Sequence, residues 1–308
     1  MKPIVTVCVL AIITTLFLGS DLRGQQPQFL GRISSDTINS SFGRRVLPMG
    51  DQDGDGFADI LVYDNRGFFS LFLGGESLSE IVSFRATNQT IPFGNSFDAN
   101  QDGYRDWAVH SEFGETNRIR LFFGGPIIDD TVDWWFWEDT LSGFTLFQDV
   151  TSDINNDGRR ELVSNYYSPG KDRLLFFDLS LPWDSLYDFS IGIPQTMTDH
   201  RQFANRFALG DFNGDGFQDI AANAKPKVSD TPAAVCIFYG GSAFDTLVDL
   251  TIYRPGGYVV GSENFGAEVL LCPGDLNADG WDDLVIGSSH AGDDSLTFIF
   301  FGGPSLDT

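Results

Sequence analysis

The sequence predicts an all-β fold, a β-propeller of four-stranded blades, and three observations predict it. A nine-residue acidic loop recurs five times, each copy is flanked by short apolar segments, and no helical periodicity intervenes. The loops read DQDGDGFAD from Asp51, DANQDGYRD from Asp98, DINNDGRRE from Asp153, DFNGDGFQD from Asp211 and DLNADGWDD from Asp275. Their starts lie 47, 55, 58 and 64 residues apart, and a recurring unit of that length sets the architecture of the whole chain.

Each unit supplies four strand-like segments in order. Ahead of the loop comes an aromatic-Gly strand, SFGRRVLPMGD from Ser41 or NFGAEVLLCPGD from Asn264. Behind it comes a short apolar strand: DILVYD from Asp59, DIAANA from Asp219, DDLVIGSS from Asp282. A third run ends in Gly-Gly, as in FFSLFLGG from Phe68, RIRLFFGGP from Arg118, AVCIFYGGS from Ala234 and TFIFFGGP from Thr297. Unit three has Asp178 and Leu179 where that Gly pair is expected. A fourth strand follows, SEIVSFR from Ser79 or VDLTIYR from Val248. Four short strands per unit, repeated radially, make a propeller, whereas a linear solenoid leaves open edges at both ends.

The loops carry the chemistry. Positions 1, 3 and 5 are Asp or Asn, position 6 is Gly, and position 9 is Asp or Glu. A hard cation such as calcium takes six to eight oxygens, and alternate side chains in a tight loop converge on one point. Gly at position 6 permits the positive φ that wraps the backbone around an ion. Asp, Asn and Gly also build ordinary turns, but five copies in register argue for metal. An EF-hand is excluded because it needs a bidentate Glu at position 12, where this chain has Val62, Val109, Ser164, Ala222 and Ile286.

Phe-Gly ahead of the loop, the GDxNxDGxxD pattern and the trailing Gly-Gly resemble the FG-GAP repeats of integrin α-subunit propellers and of many secreted bacterial proteins. The resemblance covers essentially all of the chain beyond its N-terminus. It implies up to five Ca²⁺ ions, with ligands at Asp51, Asp53, Asp55 and Asp59; Asp98, Asn100, Asp102 and Asp106; and Asp153, Asn155, Asp157 and Glu161. The remaining two sets are Asp211, Asn213, Asp215 and Asp219, and Asp275, Asn277, Asp279 and Asp283. Position 7 adds the backbone carbonyls of Phe57, Tyr104, Arg159, Phe217 and Trp281. Two loops depart from the pattern: Phe97 and Ser152 stand where others have Gly50, Gly210 and Gly274, and Glu161 reaches further than Asp. Loop three is therefore expected among the weaker sites. Five blades are expected, the segment QPQFLGRISS from Gln26 closing the last blade as its fourth strand. The rival is a fragment of a seven-bladed ring, the number in integrin-type propellers.

Composition agrees with metal and argues against nucleic acid. The 308 residues hold 43 Asp plus Glu against 19 Lys plus Arg, a net charge of −24. Sixteen of those carboxylates occupy loop ligand positions, where without a counter-ion they raise one another's pKa values. Nucleic-acid binders carry basic patches. At the N-terminus, Lys2 and the apolar run Ile4 to Leu18 read as a signal peptide over residues 1–24, leaving 25–308 as a single propeller domain. The run is shorter than the roughly 20 residues a membrane span needs. The expected location is thus secreted, extracellular or at the cell surface, with the periplasm an alternative. Beyond Cys8 in that run, only Cys236 and Cys272 remain; two buried thiols are expected over a disulfide.

Few residues outside the loops suggest activity. His110 and His290 follow equivalent strands of units two and five, and His200 stands apart; none has a nucleophile placed beside it by sequence. Asp129, Asp130, Asp133, Glu138 and Asp139 fit no recognised motif. The run Trp134, Trp135, Phe136 and Trp137 lies on a fourth strand, so alternate residues face opposite ways. Packing between blades accounts for such aromatics; exposed ones suit a sugar ring or a protein hot spot, which makes Trp135 and Trp137 the candidate ligand contacts. The leading expectation is a monomeric adhesion or binding module for an extracellular protein or glycan, its calcium structural. The alternative is a carbohydrate-active hydrolase or lyase with its site in the propeller channel.

Overall fold

The computed structural model describes the chain from Phe42 to Leu306, apart from connecting stretches such as 86–90, 138–143 and 256–263. The expected signal peptide (1–24), the expected closing strand from Gln26, Ser152 and His290 lie outside the described residues. Among the described residues every regular element is a strand, and none forms a helix long and apolar enough to cross a membrane.

The strands form five antiparallel sheets. The first holds β1 (Arg45–Gly50), β2 (Asp59–Tyr63), β3 (Phe68–Leu73) and β4 (Ser79–Arg85). The second holds β5 (Ile91–Pro92), β6 (Trp107–Phe113), β7 (Thr116–Phe122) and β8 (Trp134–Trp137). The third holds β9 (Phe144–Val150), β10 (Glu161–Tyr166), β11 (Arg173–Asp178) and β12 (Phe189–Gly192). The fourth holds β13 (His200–Gly210), β14 (Asp219–Pro226), β15 (Ala234–Phe238) and β16 (Leu250–Tyr253). The fifth has three described strands, β17 (Leu270–Gly274), β18 (Asp283–Ser288) and β19 (Leu296–Phe300). Each sheet is a meander in which every strand pairs with its chain neighbour.

Consecutive sheets pack face to face, as propeller blades do. Met49, Leu61, Phe69 and Leu71 of the first meet Trp107, Val109 and Phe122 of the second. Ile119, Leu121 and Phe136 of the second meet Leu162, Leu175 and Phe177 of the third. Val163, Leu174 and Phe176 then meet Ala222, Cys236 and Phe238 of the fourth, whose other face, with Ala221, Val235 and Ile237, meets Leu284, Ile286 and Phe300 of the fifth. Middle strands buried on both faces explain why β15 is apolar without alternation and why nearly every residue of β14 is buried. The sequence-predicted second, third and fourth strands fall on these elements.

Three expectations are corrected. The Phe-Gly pair does not belong to the first strand; Phe265–Gly266 forms a turn ahead of β17, with Phe265 buried and the Gly266 N–H donating to the Gly287 carbonyl at 2.8 Å. In the fourth sheet Phe203 and Ala204 stand instead inside the longer β13, at an irregularity in its pairing with β14 that leaves Ala204 at φ 54°. His110 lies inside β6, paired with Ile119, rather than following the strand. In the third sheet Glu161 pairs with Asp178 as Trp107 pairs with Phe122 one step further along, so Leu179, not Asp178, occupies the first Gly place. The register explains this, because the loop-end acid always faces the residue just before the pair.

Candidate metal loops

Each loop is ordered by its own side chains. In loop one the Asp51 carboxylate accepts N–H bonds from Gly54 (2.7 Å), Asp55 (3.1 Å) and Gly56 (2.8 Å). Asp53 then accepts the Asp55 N–H and Asp55 the Phe57 N–H, at 3.2 and 2.8 Å. The position-5 and position-6 bonds recur in the other four, and loops four and five repeat the position-4 bond as well: Asp211 accepts from Gly214, Asp215 and Gly216. Successive N–H groups turned inward fold nine residues into a cup, with the Asp and Asn side chains at positions 1, 3 and 5 on its rim. Position 4 takes a positive φ in each loop (Gly54, Gln101, Asn156, Gly214 and Ala278), and Gly at position 6 does the same. The Gly expected at the loop start is dispensable, because Phe97 makes the same pairing, to Asp106.

Position 9 behaves differently from the rest. Asp59, Asp106, Asp219 and Asp283 are fully buried, Glu161 nearly so. One oxygen of Asp219 accepts the Phe212 N–H at 2.8 Å, and the other accepts the Gly240 N–H at 2.9 Å. Asp59 (to Gln52 and Gly74), Asp106 (to Ala99 and Gly124) and Asp283 (to Leu276 and Gly302) repeat this pair of bonds. The buried acid therefore pins the loop to the Gly-Gly turn of its own blade. The first Gly is required by space: a Cβ on Gly240 would collide with the Gln218 carbonyl. Glu161 keeps the bond to Ile154 N–H, at 3.1 Å, while Leu179 N–H turns to the Arg160 carbonyl.

Burial without a counter-charge has an electrostatic consequence. Desolvation pushes the Asp219 carboxyl up to about 7 and Asp106 up to about 6, despite the N–H bonds that oppose it. Asp215 and Asp211 add repulsion at Asp219, and Asp102 does so at Asp106. Asp59 and Asp53 are also raised, by desolvation first. A cation among these oxygens would offset both penalties. Two loops bring three carboxylates within 4.8 Å of one another: Asp51, Asp53 and Asp59 in loop one, and Asp153, Asp157 and Glu161 in loop three. Loop three, expected among the weaker, thus has its long Glu161 within reach of its partners. In loops two, three, four and five the position-3 Asn donates its Nδ2 to the position-5 carboxylate, at 3.0, 3.1, 3.1 and 2.7 Å.

Residues outside the loops fall mostly into packing roles. Asp133, which matched no motif, is a repeat position: it lies nine residues after Gly124, as Asp249 does after Gly240 and Asp188 after Leu179. Asp133 accepts the Phe123 N–H at 2.7 Å, Asp188 the Asp178 N–H at 2.6 Å and Asp249 the Tyr239 N–H at 2.8 Å, closing the turn into the fourth strand. Equal spacing from the Gly pair was the signal that marked them. Asp129 caps the same turn, accepting the Thr131 N–H; Asp130, Glu138 and Asp139 lie outside the described residues. Trp134 and Phe136 face the third sheet, where both meet Trp183, while Trp135 points outward and is half exposed. The side chain of Trp137 lies outside the described residues. His200 is buried with Nε2 3.0 Å from the Pro232 carbonyl. Cys236 and Cys272 are free thiols, but only Cys236 is buried as expected and Cys272 is partly exposed; desolvation pushes Cys236 up to about 12 and Cys272 to about 11.

Comparison with known proteins places one stretch of this geometry. No curated protein matches the sequence. A solved structure described as "BBS1N in complex with ARL6DN, soaked with lead" aligns over 85% of this chain and 82% of that one, at 10% identity and a TM-score of 0.37, a likeness too loose to bear on function. The family comparison is local and specific: residues 203–228, which run from Phe203 in β13 through loop four and β14, match the FG-GAP repeat.

Proposed function

We propose that this chain is a secreted, calcium-stabilised propeller that acts as a binding or adhesion module for an extracellular protein or glycan, its ions structural. The observation that carries the reading is the two-part loop repeated in five blades: an acidic cup at positions 1, 3 and 5, anchored by a buried carboxylate at position 9. The ligands would be the side chains at those four positions with the position-7 carbonyls of Phe57, Tyr104, Arg159, Phe217 and Trp281. When bound, calcium supplies a divalent charge that neutralises the cup. The chain's own residues do the rest. The position-1 acid folds the loop, the position-9 acid ties it to the third strand, and the rigid blades hold outward side chains such as Trp135 in fixed places. A loop filled with protein oxygens leaves little open coordination for a substrate, which favours a structural role over a catalytic one.

The test is a thermal melt of the chain with millimolar calcium and with excess chelator. A ligand that binds only the folded state raises the melting temperature by mass action, so calcium is expected to raise it markedly, and magnesium less. Coincident melts would dispose of the calcium reading. Binding screens against glycans and matrix proteins, run with calcium and repeated with Trp135→Ala, then address the partner.

A further inference from the structure

Loops four and five are joined reciprocally. Asp282, at position 8 of loop five, donates its N–H to the Asp211 carbonyl at 3.0 Å, and its Oδ2 accepts the Asp211 N–H at 2.9 Å. Asp211 is position 1 of loop four, the acid that folds that loop. The Trp281 indole, from position 7 of loop five, lies over Gly214 of loop four, where any Cβ would run into it. Gly303, in the Gly-Gly turn of the fifth sheet, donates to the Phe212 carbonyl at 2.9 Å. Cys272 Sγ and the Asp282 carboxylate both lie against Gly210, the residue before Asp211. Each of these contacts is made by a residue of one loop's ligand set or by its chain neighbour.

The join between loops three and four is thinner. Gly241 donates to the Ile154 carbonyl at 2.7 Å, repeating the Gly303 contact. Position 4 of loop three is Asn156, however, and the Phe217 ring of loop four packs on Gly241 of its own blade instead.

We infer that loops four and five take up their divalent cations as a coupled pair, with Trp281 and Asp282 carrying order from one loop to the other. The inference rests on the calcium reading of the loops. A cation in loop four fixes Asp211, whose backbone is clasped on both sides by Asp282; this orders Trp281 and Asp283, the neighbours that supply position 7 and position 9 of loop five. The second ion then meets a loop already partly ordered and loses less conformational entropy on binding. By linkage the effect is the same in either direction.

Terbium, a luminescent stand-in for calcium, tests this. Trp281 is the one Trp at position 7, against Phe57, Tyr104, Arg159 and Phe217, and its indole also overhangs loop four, so indole-sensitised luminescence reports the pair and, once loop four is emptied, loop five alone; its loss in Trp281→Phe assigns the signal. Asp215→Ala, in the exposed rim of loop four, is expected to remove one ion from the stoichiometry and to weaken the loop-five midpoint about tenfold. Asn213→Ala serves the same end if the first variant melts early. In an Asp282→Ala background the shift should vanish, and Asp157→Ala in loop three should leave the loop-five midpoint where it was. An unchanged midpoint in Asp215→Ala, with one ion lost, overturns the coupling while the calcium reading stands. Absence of any terbium signal, together with coincident melts, overturns both.

Discussion

The third and fourth blades solve the same construction problem with different residues. In the fourth, Asp219 is short, fully buried and bonded to two N–H groups, and Gly240 leaves room for the turn it holds. In the third, Glu161 reaches the loop from further away, and Leu179 fills the Gly place with a buried side chain packed beside Trp183. The Leu179 N–H bonds to the Arg160 carbonyl instead of the acid. At the loop rim the third blade adds an Arg159–Asp178 ion pair that the fourth lacks, and its exposure makes it a minor contributor. The difference teaches that the blade requires a satisfied turn and a filled interface, and that either a buried acid or a buried leucine can dominate the join.

The comparison can be broken at three points. The largest effect is expected from Asp219→Ala, which leaves the buried N–H groups of Phe212 and Gly240 without an acceptor. At about 1–3 kcal/mol for each unsatisfied group, the loss is about 3 kcal/mol by chemical denaturation in chelator. Glu161→Ala should lose less, since Leu179 N–H is held by a carbonyl; equal losses would refute the division of labour.

The second effect is nearly as large and runs against the repeat pattern. Leu179→Gly restores the consensus residue yet is expected to destabilise by about 2–4 kcal/mol, because it empties a space between the second and third blades. Neutral or stabilising behaviour would mean that the turn, not the packing, governs that position.

The smallest effect is a pH dependence carried by the short buried acids of the fourth and second blades. Asp219 and Asp106 have raised carboxyl pKa values in the fold, about 7 and about 6. A group raised above its unfolded value of 3.8 favours folding most below that value and loses its contribution as pH rises through the folded one. In chelator, stability is therefore expected to fall between about pH 4 and pH 7. Asp219→Asn together with Asp106→Asn should flatten the fall, and calcium should protect most at its upper end. A slope unaltered by the double substitution would refute the assignment.

Much of this could be read from the chain. The loops were legible because the structure at positions 1, 3 and 5 is local: each side chain there bonds to N–H groups at most five residues away, so residue type and spacing suffice. The four strands per unit were legible from apolar runs punctuated by Gly. The role of Asp133 was missed because its partner is the Phe123 N–H across a turn, and only comparison with Asp188 and Asp249 exposes the spacing. Leu179 was misplaced by one residue because the Gly pair was sought in the sequence, whereas the ladder between β10 and β11 sets the register.

By itself the sequence determined the acidic cups, their number, and an all-β chain of repeated four-stranded units, since turn formation and charge clustering need only near neighbours. The tertiary structure alone decided which acids are buried, which N–H groups they hold, and how Asp282 and Trp281 of one loop come to grip Asp211 and Gly214 of the next. Those contacts join residues about 70 positions apart in different blades. Nothing in the local chain encodes them until the sheets have packed.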